Sequence, residues 1–228
     1  MEHTLITECE RLGISLSAEQ ISQFSAFGQA LIEKNKVMNL TAITEPEAVA
    51  KLHFADCLAL LKVVDFKNRS VIDVGCGAGF PGVPLKIGEA SIDLTLLDSL
   101  QKRVNWLRET LEQIGLGANC VSSRAEEYAH REEYDIATSR AVARLNILCE
   151  LCLPFVKVGG YFLAMKAAAA DEELQEAKRA ILLLGGKLEC IAEYEIDGAT
   201  RRVLVIKKVK PTPPQYPRRF AKIKQLPL

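Results

Sequence analysis

The chain has 228 residues, 49% of them hydrophobic, enough to bury the core of one large domain or of a domain with an appendage. Its 29 basic and 29 acidic residues cancel, which excludes a uniformly basic nucleic-acid binder but leaves room for a local basic patch. Seven cysteines, a polar and acidic start (MEHTLITECE) and the lack of an apolar run of membrane-spanning length predict a cytoplasmic protein with reduced thiols and no membrane attachment.

Residues 4–40 read as helices. Leu5, Ile6, Cys9 and Leu12 share an apolar face that Gly13 ends. Ser17-Ala-Glu-Gln20 has the form of a capping box, with Ile21, Phe24, Phe27 and Leu31 following at near-helical spacing. Thr44-Glu-Pro-Glu47 opens another helix, on which His53 and Asp56 are three apart and so share a face. From Val71 short apolar runs alternate with helical patterns: VIDV (71–74), SIDLTLLD (91–98), ANCVSS (118–123), YDIATS (134–139), GYFLAMK (160–166), KLECIAEYEI (187–196) and RVLVIKKV (202–209). Helical connections imply parallel crossovers, whereas the short Asp197-Gly198 turn pairs the last two runs as a hairpin. The expected fold is α/β: a Rossmann-like, mostly parallel seven-stranded sheet that ends in an antiparallel hairpin, with N-terminal helices. This is the order of class I S-adenosylmethionine (SAM)-dependent methyltransferases, and a two-half dinucleotide fold would give six parallel strands instead. The expected division is a helical segment at 1–66, a core at 67–210 and a proline-rich tail at 211–228. Cys149 and Cys152 lack two further ligands, so they are expected to fill a buried stripe with Leu145 and Leu148, and no metal site is expected.

The stretch VIDVGCGAGFPG (71–82) admits two readings. Gly77, Gly79 and Gly82 match the dinucleotide fingerprint, while Asp73, Gly75, Gly77 and Gly79 match the loop of SAM enzymes. Asp98, ending the second strand beside Ser99, can accept from both ribose hydroxyls and serves either cofactor. Asp73 favours SAM, because a carboxylate suits its cationic end and would repel a pyrophosphate. Ala125 and Glu126, after the third strand, are placed to meet an adenine N6 amine. The bland alternatives make Asp73 a turn-stabilising acid and Glu126 a solvated helix-terminal charge. The fourth strand end reads Asp135-Ile-Ala-Thr-Ser-Arg140. It has no Asp/Asn-Pro-Pro-aromatic segment for an exocyclic amine and no Pro-Cys to attack a pyrimidine. A nucleophile that needs no deprotonation, such as guanine N7, suits such a site. Arg140, His53 and Asp56 are the candidate catalytic residues, with a purely structural role open for the last two.

Together these residues closely resemble the RsmG (GidB) family of bacterial small-subunit rRNA methyltransferases. The resemblance covers nearly the whole chain and rests on Asn39-Leu-Thr-Ala-Ile43, His53-Phe-x-Asp56, Val71–Leu85, Leu97-Asp-Ser-x-x-Lys-Arg103, Arg124-Ala-Glu126, Ser139-Arg-Ala141, Tyr216-Pro-Arg-Arg219 and Pro227-Leu228. It implies SAM-dependent methylation of guanine N7 in a decoding-region loop of 16S rRNA, as naked rRNA, small ribosomal subunit or assembly intermediate. It also implies cofactor contacts from Gly75, Phe80, Ala125, Glu126 and Arg140. Departures from the family pattern are Cys76, Cys57 and Ala167, the last where glycine is expected.

Residues 207–228 hold seven basic residues and no acid, leaving 22 basic against 29 acidic in residues 1–206. The tail is therefore expected to be a phosphate-binding arm that leaves the cofactor untouched, with Tyr216 and Phe220 as stacking platforms. Its bland alternative is a solvated terminus. Arg144, Lys166, Arg202, Tyr216, Arg218, Arg219 and Lys222 are the candidate RNA contacts, and a monomer is expected. Rival readings are a small-molecule SAM-dependent methyltransferase, which activity on free nucleosides would favour, an NAD-binding oxidoreductase, and an RNA-binding SAM sensor that transfers nothing.

Overall fold

The computed structural model describes residues 1–140, 143–166 and 170–228; Ala141 and Ala167, singled out above, lie outside the described residues. Seven strands form one sheet: β1 (Ser70–Val74), β2 (Asp93–Asp98), β3 (Asn119–Ser122), β4 (Tyr134–Arg140), β5 (Val156–Lys166), β6 (Gly186–Ile196) and β7 (Ala199–Lys208), in the order β3-β2-β1-β4-β5-β7-β6. The first five strands run parallel; β7 inserts antiparallel between β5 and β6. The β6–β7 turn uses Asp197 and Gly198, both at positive φ (53° and 73°), the backbone a two-residue hairpin turn needs. The sheet expected from the alternating runs is therefore the one observed.

Helices cover both faces, so the strands are apolar on both sides. Alternate residues divide between the layers: Leu163, Met165, Val203 and Val205 face one core, and Phe162, Ala164, Leu204 and Ile206 face the other. The first core holds α1 (Glu2–Arg11), α2 (Ala18–Met38), α5 (Gly82–Gly88) and α6 (Gln101–Gln113). It also holds a continuous helical run in which α3 (Pro46–Val49) passes through a π turn (Ala50–Ala55) into α4 (Asp56–Leu58) and a 3-10 turn (Ala59–Lys62). The second core holds α7 (Leu145–Cys152), α8 (Ala170–Leu183) and α9 (Phe220–Gln225). Cys149 and Cys152 are fully buried there.

The N-terminal helices are fastened to the core by the expected capping box. Ser17 Oγ accepts from Gln20 N (3.2 Å), and Gln20 Oε1 accepts from Ser17 N (2.8 Å). The Gln20 amide then donates to the Ile87 and Gly88 carbonyls at the end of α5 (2.8 and 3.0 Å).

The tail is docked. Arg218 N and Nε each donate to Glu150 Oε1 at 2.8 Å, and Nη2 reaches Oε2; Glu150 is fully buried on α7. Ile223 is also fully buried. Farther upstream, buried Lys208 donates to the Leu153 carbonyl (2.7 Å) and Thr212 Oγ1 (2.6 Å), fixing where the tail leaves the sheet. Glu150→Ala strands the Arg218 guanidinium at the surface of the second core, and should cost about 3–5 kcal/mol in urea unfolding at neutral pH.

Candidate active site

The crevice lies where the strand order turns, at the carboxyl ends of β1, β2 and β4. Its floor is the loop after β1. Gly75 N and Cys76 N donate to the Leu97 carbonyl (2.8 and 3.1 Å), and Gly79 N and Phe80 N donate back to the Cys76 carbonyl (2.7 and 3.0 Å). Gly79, at φ 93°, is packed so closely that a Cβ would come within 2.7 Å of Val83 and 2.9 Å of Leu107. It serves loop packing from behind, a correction to its expected place among the cofactor contacts. Cys76 is buried with the apolar core, where a thiol is easier to accommodate than a hydroxyl.

Asp73 is also corrected. It is fully buried behind the loop, and its Oδ2 accepts from Gly82 N at 2.8 Å while Oδ1 has no partner. Burial pushes its pKa up to about 7, against the lowering effect of the Gly82 bond. The third glycine of the dinucleotide pattern thus braces this carboxylate. Asp98, by contrast, faces the crevice; its Oδ2 accepts from Gly77 N (2.9 Å), its Oδ1 accepts from Leu100 N (2.8 Å), and Arg103 stands 3.8 Å away.

The crevice has two lobes that share Gly75, Asp98 and Ser99. The larger, about 500 Å³, is lined by Thr41, His53, Gly77, Phe80, Arg103 and Arg140 among others. The smaller, about 150 Å³, lies between Leu97, Ala125, Glu126, Leu151 and Phe220. Arg131 donates to the Ala125 and Glu126 carbonyls from behind (3.3 and 3.0 Å), which fixes that loop. The set fits an adenosyl group. A carboxylate stands where ribose hydroxyls need an acceptor, an apolar slot lies beside it, and a guanidinium lies in the other lobe to meet a carboxylate.

Arg140 draws the far wall together. Nη1 donates to the Leu52 carbonyl (3.2 Å) and approaches Asp56 (3.4 Å); Nη2 lies 2.9 Å from His53 Nδ1. Its guanidinium also lies 4.8 Å from the centre of the Phe80 ring, on which the His53 ring stacks at 4.5 Å. His53 Nδ1 also lies 3.1 Å from the Leu52 carbonyl, and Nε2 lies 2.8 Å from Thr41 Oγ1, so both ring nitrogens are engaged within the chain. Burial, and then the Arg140 charge, hold the His53 pKa down at about 3. His53 is thus neutral, with both ring nitrogens engaged. Asp56, also buried, sits behind Arg140 with Tyr194 Oη at 3.0 Å and Arg201 at 3.7 Å. It does not line the crevice, so its expected catalytic role becomes one of positioning Arg140.

The expected RNA contacts do not converge. Arg144 pairs with Glu176, Lys166 with Glu173, Arg202 with Asp171 and Glu193, and Arg218 with Glu150. Tyr216 packs on the second core, while Arg219 and Lys222 are exposed and, among the described residues, have no ion pair. Several crevice residues escaped the sequence reading of the site, among them Thr41, Arg103, Leu151 and Phe220. Thr41 and Arg103 lie inside motifs quoted above with no individual role, and Phe220 was read as an RNA platform.

Asp98→Ala removes one acceptor from the ribose position and two loop bonds; it should weaken SAM binding about 10- to 100-fold by calorimetry, at about 1.5–3 kcal/mol per charged hydrogen bond. His53 binds its proton more weakly in the folded chain than at its ordinary 6.5, so its stabilising contribution is complete above pH 6.5 and is lost as pH falls toward 3. Urea unfolding between pH 7.5 and 4.5 should therefore show a shallower acid loss for His53→Asn than for the parent, by at most about 1.4 kcal/mol per pH unit.

Comparison with known proteins places this geometry in a family. The family GidB, described as rRNA small subunit methyltransferase G, matches residues 20–203. Ribosomal RNA small subunit methyltransferase G of Clostridium botulinum (strain Loch Maree / Type A3) is 44% identical over 98% of this chain and 97% of its own length. The protein of that name from Bacillus cytotoxicus is 47% identical over 95% of this chain and 94% of its own. Among solved structures, a SAM-dependent methyltransferase from Aquifex aeolicus has the same fold at 16% identity, with a TM-score of 0.55 over 77% of this chain and 97% of its own. The chain belongs to the rRNA small subunit methyltransferase G (GidB) family.

Proposed function

We propose that the protein transfers a methyl group from SAM to N7 of a guanine in a decoding-region loop of 16S rRNA, leaving 7-methylguanosine and S-adenosylhomocysteine. Family membership supports the substrate class. The observation that carries the choice of atom is the state of His53. It lines the crevice wall, it is neutral, and both of its ring nitrogens have partners within the chain: Arg140 and the Leu52 carbonyl at Nδ1, and Thr41 at Nε2. A site arranged in this way has an imidazole that orients and stacks but removes no proton. Guanine N7 presents a bare lone pair and needs no base.

SAM, when bound, supplies a methyl group that is electrophilic because it sits on a sulfonium. The chain's residues do the rest by position. Asp98 would accept from the ribose hydroxyls, and the slot of Leu97, Ala125, Leu151 and Glu126 would take the base. Arg140, held by Asp56 and the Leu52 carbonyl, keeps one geometry and presents positive charge to the cofactor's carboxylate. Phe80 and His53, stacked on each other, line the larger lobe and offer a ring surface for a purine there.

The major groove of A-form RNA hides guanine N7, so the target is a loop base or one turned out of the stack. Arg219, which lines a pocket that shares Arg124, Glu126 and Phe220 with the smaller lobe, and Lys222 are exposed and without ion pairs among the described residues, and are the tail cations proposed to meet phosphates. The acting unit in this proposal is the monomer.

Labelled SAM should be offered in parallel to unmodified 16S rRNA, small subunits and free guanosine, with the labelled nucleoside identified by mass. 7-Methylguanosine is expected from the rRNA or the subunits and not from the free nucleoside. Label on free guanosine at a similar rate would favour a small-molecule methyltransferase instead.

A further inference from the structure

The smaller lobe of the crevice has one wall from the C-terminal segment. Val74 and Gly75 come from the end of β1 and the loop after it, Leu97 to Ser99 from the end of β2 and the residue after it, Ser123 to Glu126 from the loop after β3, and Leu151 from α7. The remaining side is Phe220, the first residue of α9 in the tail. A half-buried phenyl ring faces a slot of about 150 Å³, the scale of one purine ring, directly beside the ribose acceptor Asp98.

Two buried anchors hold that ring in place. Two residues before it, Arg218 grips the fully buried Glu150 through its backbone and guanidinium. Three residues after it, Ile223 is fully buried in the second core. Both attach the tail to the layer of α7, the helix that also supplies Leu151, so the same docking brings Phe220 and Leu151 to one lobe. The tail sequence was expected to leave the cofactor untouched; its fixed position makes it one wall of the cofactor crevice.

We propose that Phe220 is a cofactor-binding residue that packs against the adenine ring, making the C-terminal segment part of the cofactor site. This rests on the reading of the crevice as a SAM site, and not on which RNA atom is methylated. A planar π face recognises a planar base and excludes water from it, and base–aromatic contacts of this kind are each worth about 1–3 kcal/mol, which corresponds to roughly 5- to 150-fold in affinity.

The test is calorimetric binding of S-adenosylhomocysteine and of adenosine, with no RNA present, to the parent chain, Phe220→Ala, Phe220→Leu and Phe220→Tyr. Phe220→Ala should weaken both ligands about 5-fold or more and by similar factors, because the lost contact is to the base that they share. Phe220→Tyr should stay within about twofold of the parent, and Phe220→Leu should lie between. Thermal melts of the unliganded variants identify any that are unfolded at the binding temperature. Should Phe220→Ala fail to fold, Phe220→Leu decides, and parent-like binding by it overturns the proposal. Parent-like binding by a folded Phe220→Ala overturns it too, as does loss confined to S-adenosylhomocysteine, which would place the effect at the amino-acid end. Failure of the parent chain to bind either ligand would instead overturn the reading of the crevice on which this proposal rests.

Discussion

A single guanidinium at the end of β4 ties the site together. Arg140 is only 16% exposed in its side chain, and a charge so placed must be paired and hydrogen-bonded. Its hydrogen-bonding partners all come from the helical run at 46–62: the Leu52 carbonyl, the His53 ring and the Asp56 carboxylate. The need to satisfy one cation therefore sets that run against the carboxyl edge of the sheet. The crevice is the gap that remains between the run and the glycine loop. The Arg140 charge and the burial around it also keep His53 neutral, so one constraint sets both the shape and the chemistry of the wall.

The carboxylates around the crevice show how environment divides roles among identical groups. Asp73, next to last in β1, and Asp98, last in β2, lie on neighbouring strands of the same sheet. Asp73 is sealed behind the loop with one oxygen on Gly82 N, and burial favours its protonated form. Asp98 stands at the surface of the crevice and accepts from two backbone amides while still facing the lobe where a ribose belongs. Asp56 faces Arg140 from behind and shapes it without touching the crevice. One acid braces the loop, one binds, and one orients.

The tail repeats this division along a few residues. Arg218 and Ile223 point inward and dock it, Phe220 faces the crevice, and Arg219 and Lys222 face solvent. A segment whose composition reads as a basic arm thus has three faces with three partners. Composition reports the sum of these residues, and only docking sorts them.

Much of this protein is legible in its sequence. Strand positions follow from apolar runs, the hairpin from Asp197-Gly198, the start of α2 from Ser17 and Gln20, and the crevice floor from the glycine loop. These are local signals, each set by backbone geometry within a few residues. What the sequence left open are the directions in which side chains point and the partners that lie far away in the chain. Asp73 and Asp98 look alike as strand-end acids until burial separates them. The cations at 144, 166, 202 and 218 look free until Glu176, Glu173, Asp171, Glu193 and Glu150 arrive from other elements. Phe220 reaches the crevice only because Arg218 finds an acid 68 positions earlier in the chain. Short-range stereochemistry determined the elements and the loop; long-range desolvation and charge pairing, which exist only once the chain is folded, decided which residues face the crevice.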